Sequence, residues 1–480
     1  MSSIETITPA PAHAGASLTV RGHVLIELAE TLKLAIPIAL TQLGQIAMMT
    51  TDLALIGRLG EQAVAAAALA HTIFFIGFTL GMGLVSAVAP LAAQAFGARD
   101  PRIVRRALRV GLWTALFVAL PLMAIPLFGE RLLIWLGQAP ASAKLAQQYL
   151  MGLGWCIVPA LWFIAIRSFM GAVNRPEPGL WITLVAIPAN GLLAYALIHG
   201  HFGLPQLGLF GAGLATSIVN VGMCAAGLWF CHTRRPFKKY HVLGRFWRID
   251  WSLMKQLLVI GVPISMSFLL EYGLFSAAAL LMGLISTTAI TAHQISLQIA
   301  AILFMVPFGI GMAATVRVGH AVGRGDVAST RRAGFVAIVL GALFMAAMTL
   351  AVIAVRYQIA FAFLGTGGDI MRTVDLVATL LMVGATFFVA DGVQTVAAGA
   401  LRGLNDTRIP MLMAAFSYWV LGFGVAYALA FTFGFGAIGV WIGLSCGTAA
   451  YAALLVGRFY LLTKRLQLQS DAPVTAPRLP

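Results

Sequence analysis

Residues 257–285 read LLVIGVPISMSFLLEYGLFSAAALLMGLI, and Glu271 is the only charge among them. A helix crosses the hydrocarbon core with about 20 apolar residues, so this run is long enough to span. A carboxylate at mid-membrane costs about 2.5 kcal/mol or more on insertion scales. Such a residue persists where it faces a wet cavity, pairs with another group, or carries a proton. The plain structural alternative is a protonated Glu hydrogen-bonded between helices. An acid inside a span is first of all a candidate functional site.

The rest of the chain is of the same kind. Its 480 residues are 60% hydrophobic and only 10% charged, with a mean hydropathy of +0.93. Soluble domains carry about 25% charged residues. The composition describes an all-α, polytopic membrane protein embedded in a lipid bilayer and excludes a soluble enzyme. The formal net charge is +15. In a soluble domain that excess would suggest a nucleic-acid partner. Here the basic residues fall in short loops between apolar runs, so they read as topology signals and no nucleic acid is expected. Cys156, Cys224, Cys231 and Cys446 show neither C-x-x-C nor His/Cys metal spacing, so neither a zinc site nor a disulfide framework is expected. The first 20 residues are polar and lack an apolar core, so no cleaved signal peptide is expected. The composition of the tail after Gln469 predicts disorder.

Run length and turn signals predict twelve spans: 26–57, 66–96, 105–128, 145–169, 179–199, 209–232, 253–285, 290–318, 333–356, 373–400, 409–433 and 437–462. Loops holding Arg99, Arg102, Arg105 and Arg106, then Arg234 to Arg248, then Arg324, Arg331 and Arg332, then Arg402 and Arg408, alternate with loops nearly bare of Lys and Arg, such as HGHFGLPQ at 199–206. This asymmetry predicts cytoplasmic basic loops and two cytoplasmic termini. The sequence also repeats. Pro37 and Pro263 stand 226 residues apart, and the same offset relates Gly57 to Gly283, Gly83 to Gly309, Gly97 to Gly323, Asp100 to Asp326 and Arg105–Arg106 to Arg331–Arg332. Farther along, 194–197 and 426–429 both read AYAL, at a slightly larger offset. The expected architecture is two six-helix lobes related by a pseudo-two-fold axis along the membrane normal, with a cavity between them. The expected divisions are an N-terminal tail at 1–24, a lobe at 25–232, a basic linker at 233–252, a lobe at 253–465 and a tail at 466–480.

Asp52, Glu271 and Asp391 lie well inside apolar runs. Thr41, Gln45, Met48 and Asp52 fall on one face of the first helix, and Phe387, Asp391, Gln394, Thr395 and Ala398 on one face of the tenth. At the repeat offset Gln45 corresponds to Glu271 and Asp52 to Ala278, so the halves share shape but not acid placement. Glu271 and Asp391 belong to one half and are expected to meet in its interior. Two carboxylates held together repel, which suits a site that exchanges H⁺ or Na⁺. Gln294 and Gln298 share a helical face, and Asn190 lies mid-span; each is a candidate cavity residue or plain interhelical hydrogen-bond glue. His71 reads as a packed histidine, and Asp369 and Asp375 as solvated acids near the external end of the tenth span. Pro37, Pro263 and Pro307 are candidate kinks. Nothing matches a Walker A loop, so direct use of ATP and an organic cofactor are not expected.

Six stretches together resemble the MATE (multidrug and toxic compound extrusion) family in its NorM-type branch: QIAMMTTDLALIG at 45–57, FLLEYGLF at 268–275, AHQISLQ at 292–298, RVGHAVGRGD at 317–326, DGVQTVAAGALRG at 391–403 and SYWVLG at 417–422. The resemblance covers residues 25 to 465. It implies a two-lobed antiporter of the inner membrane that exports bulky, often cationic drugs, driven by H⁺ or Na⁺. By the same resemblance Glu271 and Asp391 match the second-lobe cation-site acids, ligands of Na⁺ if sodium is the coupling ion. Asp52 matches the first-lobe acid, and Gln294 a glutamine of the cavity wall. Two positions depart. Phe387 stands where members assigned Na⁺ often carry Tyr, and Ala194 where some carry Asn or Asp.

The expected protein is a monomeric, cation-coupled secondary antiporter with small organic cations and drugs as substrates. The substrate-binding candidates are Asp52, Gln45, Gln294, Gln298, Phe387 and Asn190. A flippase for lipid-linked glycans would prefer a strongly basic cavity, and the first two spans have no Arg or Lys at mid-depth. A membrane-embedded enzyme would need a catalytic constellation, and none is legible. The internal repeat favours alternating access over a channel.

Overall fold

The structure is a computed structural model and describes residues 20–201, 203–365 and 370–471. The predicted signal-free start, most of the C-terminal tail and Asp369 lie outside them. The first half of the chain forms α1 (Val20–Gly57), α2 (Glu61–Ser86), α3 (Val88–Gly97), α4 (Pro101–Leu122), α5 (Ile125–Trp135), α6 (Pro140–Leu153), α7 (Ile157–Ala172), α8 (Glu177–His199) and α9 (Gly208–Thr233). The second forms α10 (Trp251–Ile285), α11 (Thr287–Gly323), α12 (Val327–Ala354), α13 (Arg356–Leu364), α14 (Met371–Val383), α15 (Ala385–Gly403), α16 (Arg408–Ala415), α17 (Gly424–Tyr427) and α18 (Gly436–Asp471). Among the described residues nine helices are long and apolar enough to cross a membrane, or eleven when two bent pairs each count as one span.

Two breaks bend the chain between helices. Pro37, Pro263 and Pro307 lie inside α1, α10 and α11, which run on as continuous helices. The chain turns instead by 44° between α4 and α5 and by 46° between α14 and α15. The first break follows Pro121, which has no N–H for the helical ladder, and precedes Pro126 in the opening turn of α5. The second falls at Gly384, where an added Cβ would stand 2.9 Å from the Trp441 ring.

Local structure repeats along with sequence. Asp100 caps α4 by accepting from the backbone N–H of Arg102 at 2.9 Å, and Asp326 caps α12 by accepting from that of Ser329 at 2.9 Å. Asn174 and Asn405 follow α7 and α15 with φ of 60° and 59°, the left-handed conformation that asparagine tolerates best after glycine.

The two halves of the chain meet closely at the end carrying the basic loops. A Cβ on Gly83 would reach Ser265 Cα at 2.5 Å, and one on Gly309 would reach Ala39 Cα at 2.8 Å. Each pair is the other's image at the 226-residue offset. A side chain on Gly97 would collide with the carbonyl of His320, and one on Gly323 with that of Gln94; again the pairs exchange at the same offset. The side chains follow this pattern. Gln94 Nε2 donates to Gly403 O at 2.8 Å, and His320 Nε2 donates to Ala172 O at 2.7 Å. Each half thus satisfies a carbonyl in the last turn of a helix of the other, where the helix itself supplies no donor. Arg317 adds a bidentate contact to Glu27 at 2.8 and 3.0 Å.

The basic segment at 233–252 packs against the first half. Phe237 and Tyr240 are buried against Phe169. Trp113 Nε1 donates to Phe246 O at 2.9 Å, and Arg106 pairs with Asp250, which opens α10.

Replacing Gly323 or Gly97 by Leu is expected to destabilise the protein by about 1–3 kcal/mol, as overpacking does. Gly222→Ala, on open space, should leave it unchanged. Thermal unfolding of the purified protein in detergent measures both, and an unshifted Gly323→Leu midpoint would contradict the close approach.

Candidate functional site

The cluster in the second half is built by four elements. α10 carries Glu271, α15 carries Asp391 and Gln394, and α18 carries Tyr451. Between α16 and α17, residues Phe416–Phe423 wind as a π-helix that carries Tyr418. Such local widening re-aims side chains and recurs at functional sites. The Gln394 amide is at the centre. Its Nε2 donates to Glu271 Oε1 at 2.8 Å and to Asp391 Oδ1 at 2.9 Å, so its two N–H groups serve the two carboxylates. The Tyr418 hydroxyl lies 2.5 Å from Gln394 Oε1 and 3.3 Å from Glu271 Oε1 and has one proton for the two. When it donates to the amide, its oxygen is free to accept from a proton on Glu271.

Beside this cluster is a small cavity lined by Ser267, Glu271, Gln394, Arg402, Tyr418 and Tyr451, among others. It has room for about one water molecule. That suits a small ion or a proton with water and excludes a bulky organic molecule. Among the described residues no three His, Cys, Asp or Glu side chains gather as a metal cluster. The donors are carboxylate, amide and phenol oxygens, a set that suits hard cations and protons.

The cluster in the first half is separate. Asp52 on α1 accepts from Asn190 Nδ2 on α8 at 2.5 Å and from Thr216 Oγ1 on α9 at 3.1 Å. Asn220, one turn after Thr216, donates to the Thr216 carbonyl at 2.8 Å. Nearer the start of α1, Arg167 of α7 donates to Gln42 at 2.9 Å, and both side chains are buried.

The structure brings Glu271 to Asp391 through Gln394, and Asp52 to Asn190 directly. Gln45 is half-buried on the stripe below Asp52, with Met48 buried between them. Phe387 is buried in an aromatic cluster, 5.9 Å from Phe275 and 5.6 Å from Trp441 between ring centroids, so it packs and leaves no open face. Gln294 and Gln298 are exposed on α11 and hydrogen-bond to neither cluster among the described residues. Asp375 is exposed, and His71 stacks on Phe75.

Sequence reasoning missed Thr216, Arg402 and Tyr451 and did not weigh Tyr418. A signal existed for two of these. Thr216 and Asn220 are an i, i+4 polar pair in an apolar run, and Arg402 continues the Asp391, Thr395, Ala398 face. Tyr418 and Tyr451 come from distant segments that only packing joins.

The MatE family matches residues 37–196 and 263–429, two stretches whose starts are 226 residues apart. A probable multidrug resistance protein NorM of Bradyrhizobium diazoefficiens is 63% identical over 446 residues, 93% of this chain and 96% of that protein. A multidrug resistance protein NorM of Burkholderia vietnamiensis is 38% identical over 94% of this chain and 96% of its own length. Among solved structures, the eukaryotic MATE transporter AtDTX14 superposes with a TM-score of 0.82 at 20% identity, covering 93% of this chain and 99% of that one. An outward-facing multidrug resistance MATE transporter superposes with a TM-score of 0.83 at 19% identity, over 94% and 99%. These solved structures share the fold, and the curated relatives match over more than nine-tenths of the chain. The chain belongs to the MATE family of membrane transporters, in its NorM-type branch.

Proposed function

We propose that this chain is a cation-coupled secondary antiporter that exports bulky, often cationic organic compounds across the bacterial inner membrane, acting as a monomer. One observation carries the proposal: a single amide, Gln394, holds Glu271 and Asp391 from two different helices at mid-depth beside an ion-sized cavity. Carboxylates so placed are costly unless they bind a cation, H⁺ or Na⁺. The names of the curated relatives supply the class of cargo.

The transporter has twelve spans in two six-helix lobes. α1, 38 residues long, is the span beyond the eleven found by length and composition. The paired family matches and the exchanged contacts at the basic-loop end support the pseudo-two-fold relation. With the basic loops in the cytoplasm, the close approaches at Gly83, Gly97, Gly309 and Gly323 seal the cytoplasmic side, and the state is outward-facing. Asp52 in the first lobe takes the cationic cargo or a proton. Competition between the two for one acid is sufficient for antiport when the lobes rock between their two states.

Glu271→Gln or Asp391→Asn is expected to fold and express normally but to lower gradient-driven efflux of a fluorescent cationic dye by about tenfold or more, the equivalent of one charge-assisted contact. Vesicles with H⁺ and Na⁺ gradients imposed separately read this out, and full activity in either folded variant would sink the proposal.

Asp52→Asn is expected to weaken binding of a cationic dye by about tenfold and to flatten its pH dependence, with less effect on a neutral compound. Wild-type affinity and pH profile in the purified variant would make Asp52 structural.

In a background without Cys446, cysteines at 239 and 328 should react with an impermeant thiol reagent only from the cytoplasm, and one at 203 only from outside. The opposite pattern would reverse the orientation.

A further inference from the structure

Arg105, Arg109, Trp113 and Phe117 recur every fourth residue along α4. They form one slanting stripe about 18 Å long, charged toward the basic-loop end and aromatic below it. Arg109 is only 6% exposed. Its Nη1 donates to Arg245 O at 3.1 Å, while its Nε is buried with no acceptor among the described residues. Arg105, Arg106 and Arg248 lie near enough to act on it electrostatically, and Asp250 is the acid that opposes them. That acid is already engaged. It pairs with Arg106, and its Oδ1 accepts from the Leu253 N–H at 3.2 Å to cap α10. Residues 101–109 and 233–255 contain no other Asp or Glu. Four guanidiniums are thus set against one carboxylate, and that one is occupied. Arg105 and Arg248 give their guanidiniums to no protein acceptor among the described residues.

The aromatic part of the stripe is open. Trp113 lies 5.3 Å from Phe246 and 5.7 Å from Phe117, and Phe117 lies 6.4 Å from Trp251, between ring centroids. Phe117 and Trp251 are 42% and 66% exposed. Exposed aromatic faces beside a basic loop mark the depth where headgroups give way to acyl chains. At the 226-residue offset the pair Arg105–Arg106 recurs as Arg331–Arg332, but Arg109, Trp113 and Phe117 become Phe335, Val339 and Leu343. Topology therefore accounts for the arginine pair, and not for the buried Arg109 or the aromatic faces below it. We propose that this corner, between α4 and the start of α10, binds one anionic phospholipid, its phosphate on the guanidiniums of Arg105, Arg109 and Arg248 and an acyl chain along Phe117 and Trp251. Guanidinium and phosphate form charge-assisted, geometrically matched hydrogen bonds. A zwitterionic lipid brings a cation of its own into a site that already has too many. A free anion would use the charged end alone and leave the aromatic faces idle. The bound lipid offsets the repulsion among the arginines and fastens the 245–251 segment, which joins the two halves, to the first of them.

The site is separate from the Glu271 and Asp391 cluster and stands whichever ion drives transport. Purified protein, delipidated in detergent, is supplied with phosphatidylglycerol, phosphatidylcholine or inorganic phosphate. Bound lipid is measured by native mass spectrometry, and the thermal unfolding midpoint is followed in parallel. Wild type is expected to retain phosphatidylglycerol in preference to phosphatidylcholine and to melt higher with it. Arg105→Gln/Arg248→Gln removes two guanidiniums that no protein group uses. It is expected to bind phosphatidylglycerol about tenfold or more weakly, the equivalent of one charge-assisted contact, and to lose the thermal gain. Lys464→Gln/Arg465→Gln removes the same charge from exposed positions near the end of α18 and should bind as wild type does. Equal retention of the two lipids by wild type overturns the proposal, whatever the variants do. So does unchanged affinity in Arg105→Gln/Arg248→Gln, or an equal loss in Lys464→Gln/Arg465→Gln, which would make the attraction a general effect of surface charge. The same thermal gain from inorganic phosphate overturns it too, because the site would then be one for a free anion.

Discussion

Hydrocarbon offers no hydrogen bonds, so a charged side chain inside this bundle depends on partners from neighbouring helices. That constraint determines where the interesting chemistry is. Glu271 and Asp391 are tolerable because Gln394 has two donors and sits between them. Gln394 is oriented in turn because the Tyr418 hydroxyl occupies its carbonyl oxygen. The π-helix around Tyr418 follows from the same demand: a regular helix would present a different face to α10 and α15. One amide thus ties the path of three helices to the placement of two charges.

The halves of the chain meet the same constraint differently. In the first, a single carboxylate is held by Asn190 and Thr216, and the buried Arg167 is satisfied separately by Gln42. In the second, two carboxylates share one amide, and a guanidinium lines the cavity beside one of them, Glu271. The backbone frame is common to both, down to the aspartate caps at 100 and 326 and the left-handed asparagines at 174 and 405. A shared frame with unlike charges is the basis of the proposed split between a driving-ion half and a cargo half.

The frame was the legible part. Apolar run length, loop charge and the 226-residue offset locate the helices, with ends displaced by up to nine residues, because the bilayer imposes a length and a polarity on every span. The acids Asp52, Glu271 and Asp391 were legible for the same reason, as charges have no cheap place in such runs. What the sequence hid was contact between distant segments. Tyr418 and Tyr451 reach Glu271 across more than a hundred residues, and no periodicity on their own helices points there. The rotation of individual helices was also hidden: it packs Phe387 into an aromatic cluster and leaves Gln294 exposed outside the polar clusters.

The crossed contacts of Gln94 and His320 also bear on how the chain is made. The carbonyl of Ala172 receives its donor from residue 320, and that of Gly403 receives its donor from residue 94. During synthesis the first half is finished long before residue 320 exists, so the end of α7 must stay hydrated at the membrane surface until the second half arrives. A fragment ending near residue 233 would keep that end open permanently, together with the bare glycine surfaces at 83 and 97. Either half made alone would therefore present a sticky, half-satisfied face to whatever other protein lay beside it in the membrane, and quality-control proteases would have a defined place to recognise an unfinished chain.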